Sequence, residues 1–167
     1  MNLSIDAILD MILEHEGGLV EHLDDPGGTT AFGISQRAYP TLNIKSLSRE
    51  QAKQIYLDDY LNGGISRLIV EHHRPILGFI LADFAVNSGK GRAIRALQQL
   101  LGLHDDGIIG PKTLRAIESR NEVGLAIRLT ALRLEFLTKL QGWKHFGAGW
   151  TRRNVRNLEI IAEAIES

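Results

Sequence analysis

Apolar residues recur with a helical period almost from the start of this chain. Ile5, Ile8, Leu9, Ile12 and Leu13 fall at i, i+3, i+4, i+7 and i+8. They form one stripe of a helix, with Ser4 as its cap and Gly17 as its stop. From about 17 to 44 the period is lost and a Pro-Gly-Gly turn intervenes, which predicts loop and a short hairpin. Ser48 and Gln51 make a capping-box pattern that opens a helix through Ile55, Tyr56 and Tyr60. Pro75 suits a first helical turn, and residues 76–86 are apolar on nearly every side. A strand is an alternative for so short a run, but its length and helical neighbours predict a buried central helix ending at Asn87-Ser88-Gly89. An amphipathic segment follows (Ile94, Leu97, Leu100, Leu101), then a turn at 105–110 and a helix opening at Pro111. A long helix is read through Leu125, Leu129, Leu132, Phe136 and Leu140. After it come a Gly/Trp-rich loop at 142–150 and a last helix with Val155, Leu158, Ile161 and Ile165 as its apolar positions. The expected fold is mainly α, seven helices with one small N-terminal β-hairpin.

Composition narrows the chemistry. At 167 residues the chain can bury a real core, and 44% apolar with 23% charged residues is ordinary globular usage. There is no cysteine, which removes disulfides, thiolate metal sites and thiol catalysis. Residues 1–16 carry Asp6, Asp10 and Glu14 but no Lys or Arg, unlike a secretory signal. Synthesis in the cytoplasm is therefore expected, with any action outside needing a holin-like pore or a dedicated export route. No stretch reaches the ~18 apolar residues of a membrane span. Residues 1–88 hold 12 acids and 6 bases, whereas 89–167 hold 8 acids and 13 bases. That split fits two complementary faces of one domain, or an acidic half beside a basic half that meets an anionic polymer. The bases lack clustering and interleaved aromatics, so nucleic acid is not the expected partner.

Residues 16–34 concentrate the candidate chemistry. Glu16 ends the first helix, and Asp25 opens the Pro-Gly-Gly turn nine residues later, with Thr29 and Thr30 just beyond. Cleaving a glycosidic bond needs a carboxylic acid that is still protonated near neutral pH, and a second group that orients water or stabilises the transition state. A helix C-terminus disfavours ionisation of Glu16, as does burial beside apolar groups. Gly17 and Gly18 let the chain leave sharply. Asp25 could hold a water with help from the Thr30 hydroxyl; Asp before Pro-Gly is equally a plain turn residue, and Asp24 is the alternative acid. The His15-Glu16-x5-His22 spacing is not that of a zinc helix, and His72 and His73 are adjacent, so no metal is implied.

These segments resemble glycoside hydrolase family 108, the N-acetylmuramidases. Glu16-Gly-Gly, Asp25-Pro-Gly-Gly, Thr30 and Phe32-Gly-Ile34 look like that family's N-terminal signature. Phe84-Ala-Val-Asn-Ser-Gly89 and Leu97-Gln-Gln-Leu-Leu-Gly102 look like its central part. Asp106-Gly-Ile-Ile-Gly-Pro-Lys-Thr113 and Phe146-Gly-Ala-Gly-Trp-Thr-Arg-Arg153 resemble its peptidoglycan-binding portion. The chain departs from the pattern at Leu19, where an aromatic is usual, and at Ala31, where Asn is usual. The resemblance implies a lysozyme-like fold, with a catalytic portion at 1–88 and a helical peptidoglycan-binding portion at 89–167 packed as one unit. It implies Glu16 as catalytic acid. The Glu-x8-Asp spacing followed by Thr30 is similar to the Glu/Asp/Thr triad of phage-type lysozymes, in which Asp and Thr handle the water. Asn87, Ser88, Trp150 and Phe32 are the expected sugar contacts. No cofactor is implied; the expected partner is the peptidoglycan glycan strand, met by a monomer without membrane insertion. The rival readings are a lytic transglycosylase and a catalytically silent wall-binding or secretion-assisting protein.

Overall fold

The computed structural model describes residues 3–16, 29–62 and 64–166, with His15 and Glu16 described by their backbone alone. These residues form eight α-helices and one two-stranded sheet. They fall into two compact units. One is Asp6–Asp59; the other is Tyr60–Ser167 together with the N-terminal residues up to Ile5.

The smaller unit begins in α1 (Ile5–Glu16), whose stripe of Ile8, Leu9, Ile12 and Leu13 is buried. Its polar edge is tied to α2 (Arg49–Tyr56). The Lys53 ammonium lies 2.8 Å from both Asp6 Oδ1 and Asp10 Oδ2, and Arg49 Nε donates to Asp10 Oδ1 at 2.9 Å. Ser48 and Gln51 form the reciprocal capping box that starts α2. The helix expected to run on through Tyr60 is α-helical only to Tyr56 and widens into a π-turn at Leu57–Leu61. Between α1 and α2 lies the hairpin of β1 (Thr30–Ala31) and β2 (Ile34–Ser35), antiparallel, with Thr30 opposite Ser35. A one-turn 3-10 segment at Ile44–Ser46 follows, at the end of the stretch read as loop.

The larger unit holds α3 (Gly64–Val70), α4 (Pro75–Ser88), α5 (Lys90–Leu101), α6 (Pro111–Glu118), α7 (Glu122–Thr138) and α8 (Trp143–Glu166). Every residue from 77 to 85 is buried, and α3, α5, α7 and α8 all pack on α4. A helix that is apolar all round is stable only when so surrounded. Gly78 lets α3 approach closely, since a Cβ there would sit 2.3 Å from Ile69 Cγ1. Gly89, at φ +92°, turns the chain from α4 into α5.

Three features depart from expectation. Helix α3 was not foreseen, because seven residues are too few for a helical period to stand out. The Gly/Trp-rich stretch at 142–150 is not a loop but mostly the first turns of α8. Its glycines admit rings: a Cβ at Gly147 would lie 2.8 Å from the Trp143 indole, and one at Gly142 would lie 3.1 Å from that of Trp150. The rings of Trp143 and Phe146 stand 6.2 and 5.9 Å from Trp150, and this packing offsets the ~1 kcal/mol helix cost of Gly147. Further along α8, Val155, Leu158 and Ile165 are exposed, while Asn154, Asn157, Ile160 and Ile161 are buried. Of the expected stripe only Ile161 faces the core.

Gly78→Ala should lower stability by about 1–3 kcal/mol through overpacking against Ile69. In urea titrations Ile69→Ala should cost less in that background than in the parent, because the two sites share one contact.

Candidate active site

The polar centre of the larger unit is Asp83, fully buried on α4. It accepts hydrogen bonds from three side chains. Arg133 of α7 reaches Oδ2; Arg153 of α8 donates to Oδ1 through Nε at 2.9 Å and Nη2 at 2.7 Å; Asn157 donates to Oδ2 at 2.7 Å. Burial by itself pushes this carboxyl up. The charges of Arg133 and Arg153, with the hydrogen bonds from Arg153 and Asn157, outweigh burial and hold it far below the ordinary carboxylate range. Asn157 on the buried face of α8 thus has a physical reason, since it faces the carboxylate; Asn154 beside it donates to the Trp150 carbonyl of its own helix at 2.8 Å.

A cavity of about 290 Å³ opens beside this cluster. Asn87 and Ser88 at the end of α4, Arg92 of α5, Arg133 and Phe136 of α7, and Trp150 and Arg153 of α8 line it, among others. The structure therefore brings three of the expected sugar contacts, Asn87, Ser88 and Trp150, around one space. Asn87 Nδ2 donates to the Asp83 carbonyl at 2.9 Å, which fixes the last turn of α4. Arg92 donates from Nε to the Ser88 carbonyl at 3.3 Å, and its guanidinium lies 4.4 Å from the centre of the Phe136 ring. Asp83, Arg133 and Asn157 did not stand out in the sequence. The available signal was a lone acid inside an apolar run, which has to find partners once buried.

The turn at 105–110 is organised by a buried side chain, Gln98. It donates to Asp106 Oδ1 at 2.7 Å and to the Ile108 carbonyl at 3.0 Å, and accepts from the Gly107 amide at 2.8 Å. Asp106 Oδ1 also accepts from the Ile108 amide. The polar groups of this motif are consumed in holding the turn.

In the smaller unit, Glu16 is the last residue of α1, and its side chain lies outside the described residues. Asp25, with the alternative Asp24, also lies outside them, as do Leu19 and His22. Thr30 is half-buried on β1. Phe32 and Gly33 form the two-residue turn, both with left-handed backbone at φ 52° and 74°. Such a pair matches the twist of a tight hairpin, but is strained for a phenylalanine. The Tyr56 hydroxyl donates to the Phe32 carbonyl at 2.8 Å and holds the turn in place. The bracing of α1 is electrostatic as well: the hydrogen bond from Lys53, with that from Arg49, holds the Asp10 carboxyl below its usual range. Of the two adjacent histidines, His72 pairs with Glu118 at 2.8 Å.

Replacing Asp83 by Asn should destabilise the fold by about 3–5 kcal/mol, because Arg133 stays buried without its carboxylate. Since Asp83 titrates lower when folded than when unfolded, its contribution is full above the unfolded value of ~3.9 and is lost as pH falls through the folded one. The stability gap between parent and Asp83→Asn, read by denaturant titration, should therefore be constant near neutral pH and narrow below about pH 4.

The family model "Glycosyl hydrolase 108" matches residues 9–89, and the model "Predicted Peptidoglycan domain" matches residues 92–155. No curated protein sequence matches the chain. Among solved structures, that of SagA from Brucella abortus is similar at 30% identity, with a TM-score of 0.80, over 95% of this chain and 94% of that one. With both models in order along it and a likeness of that extent, the chain belongs to the glycosyl hydrolase 108 family and carries a peptidoglycan domain behind its hydrolase portion.

Proposed function

We propose that the protein is an N-acetylmuramidase that hydrolyses the β-1,4 bond between N-acetylmuramic acid and N-acetylglucosamine. The observation that carries this reading is the ordered set of motifs from Glu16 to Arg153, in a chain whose family is a glycosyl hydrolase joined to a peptidoglycan domain. Glu16, at the C-terminal end of α1, delivers a proton to the glycosidic oxygen as the bond to the anomeric carbon breaks. The negative end of the helix dipole favours the protonated acid that this step requires. Asp25 and the Thr30 hydroxyl position the water that attacks the anomeric carbon, leaving muramic acid at the new reducing end. Asn87, Ser88, Trp150 and Phe32 are assigned to substrate contacts. We place catalysis in residues 1–88 and wall binding in 89–167, in a monomer acting on the wall after export. The ranges of the two family models support that division. By packing, however, α4 belongs with the helices that follow it.

Glu16→Gln should lower the rate of peptidoglycan cleavage by about 10²–10⁴-fold while leaving the circular dichroism spectrum and melting temperature near those of the parent. A variant as active as the parent would sink the assignment. Mass spectrometry of the released muropeptides should find ordinary reducing ends; 1,6-anhydro ends would instead identify a lytic transglycosylase.

A further inference from the structure

We infer that the cavity beside Asp83 is a carboxylate subsite, which receives an acid of the peptide stem while the attached sugar lies on the aromatic ledge next to it. The inference rests on peptidoglycan being the ligand and deepens that reading; it does not depend on which glycosidic reaction occurs. Three observations carry it. The first is Arg92, an exposed residue at the cavity with no carboxylate within ion-pair distance among the described residues. Its guanidinium is already placed, by the Ser88 carbonyl at 3.3 Å and the Phe136 ring at 4.4 Å, so little side-chain freedom remains to be lost on binding. A planar, fixed guanidinium is the group best matched to a carboxylate.

The second is Arg133, also lining the cavity, whose buried Nε has no hydrogen-bond partner among the described residues. The third is the ledge. Both tryptophans of the chain and Phe146 cluster at the start of α8, with Phe146 61% exposed and Trp150 facing both the ledge and the cavity. An open aromatic face stacks on the apolar face of a sugar ring. Size sets the division of labour. At about 290 Å³ the cavity is at the lower limit of ligand sites, so it takes one amino-acid-sized group and not a disaccharide. Peptidoglycan provides that combination, a pyranose carrying a short peptide with free carboxylates.

The test uses the full chain bearing Glu16→Gln, so that the probes survive, and isothermal titration with three of them. These are a disaccharide-tetrapeptide with free carboxylates, the same compound with its carboxylates amidated, and a peptide-free N-acetylglucosamine tetrasaccharide. Amidation should weaken binding about ten-fold or more, and Arg92→Gln should weaken binding of the free acid by a similar factor without affecting the amidated probe. Arg92→Lys should recover only part of the loss. Phe146→Ala should weaken all three probes alike. Equal affinity for the free and amidated probes, or an Arg92→Gln chain that binds the free acid as the parent does, overturns the subsite and leaves the muramidase reading standing. Failure of all three probes to bind overturns the subsite and the peptidoglycan reading together. If the chain with Glu16 intact releases no muropeptides although the Glu16→Gln chain binds the probes as expected, the reaction alone is overturned.

Discussion

A carboxylate inside an apolar helix is the constraint around which the larger unit is organised. Asp83 has no exposure, and a bare charge there would cost several kcal/mol in lost hydration. Arg133 and Asn157 supply its compensation from α7 and α8, and Arg153 adds a second guanidinium. Geometry then follows from charge. Helix α8 presents two asparagines and an arginine to the core and leaves Val155, Leu158 and Ile165 outside. Two of the side chains that neutralise Asp83 also line the cavity, together with Asn87, Ser88 and Trp150. The interaction that fixes the packing of three helices therefore also shapes the space assigned to ligand.

The smaller unit solves a different problem with surface charge. Lys53 and Arg49 clasp one edge of α1 through Asp6 and Asp10, which fixes the helix whose last residue is Glu16. Ion pairs with partly exposed acids stabilise little, but four charges joined in one network around the buried Lys53 define a direction well. The hairpin turn is held likewise, by one phenol on the carbonyl of a strained phenylalanine. Strain of that kind persists only where surrounding contacts impose it.

Much of this was legible in the pattern of residues. The stripe of α1, the capping box of α2, the buried run of α4 and the Gly-Pro opening of α6 each declare themselves through local chemistry, and local chemistry is what a sequence displays. A hairpin is expected in the stretch after α1 from Pro26-Gly-Gly, which lies outside the described residues; the observed turn is Phe32-Gly33, which no turn signal marks. Two kinds of feature were not legible. Glycine at 142, 147 and 149 ordinarily marks a loop, and only the Trp143 ring against Gly147 and the Trp150 and Phe146 rings against Gly142 show why a helix starts and runs on there. The Asp83 cluster joins residues 50 to 74 positions apart, and no periodicity within either helix encodes that meeting. Asn87, Ser88 and Trp150 were singled out by motif; Arg92 and Arg133, which complete their cavity, had no motif to mark them.

The length of chain between Asp83 and its partners has a consequence for the order of events during synthesis. Arg153 and Asn157 leave the ribosome 70 and 74 residues after Asp83. Until they do, Arg133, 50 residues on, is the one counter-charge of this cluster already made, and the hydrogen bonds from Arg153 and Asn157 are missing. The Asp83 cluster thus joins a helix within the range of the hydrolase model to residues within and just past the range of the peptidoglycan model, and is complete only when α8 has been made. A nascent or truncated chain lacking α8 would keep Asp83 with one guanidinium instead of two and without the Asn157 amide, a less complete compensation of a buried charge. Chaperones and proteases act on chains that are less stably folded.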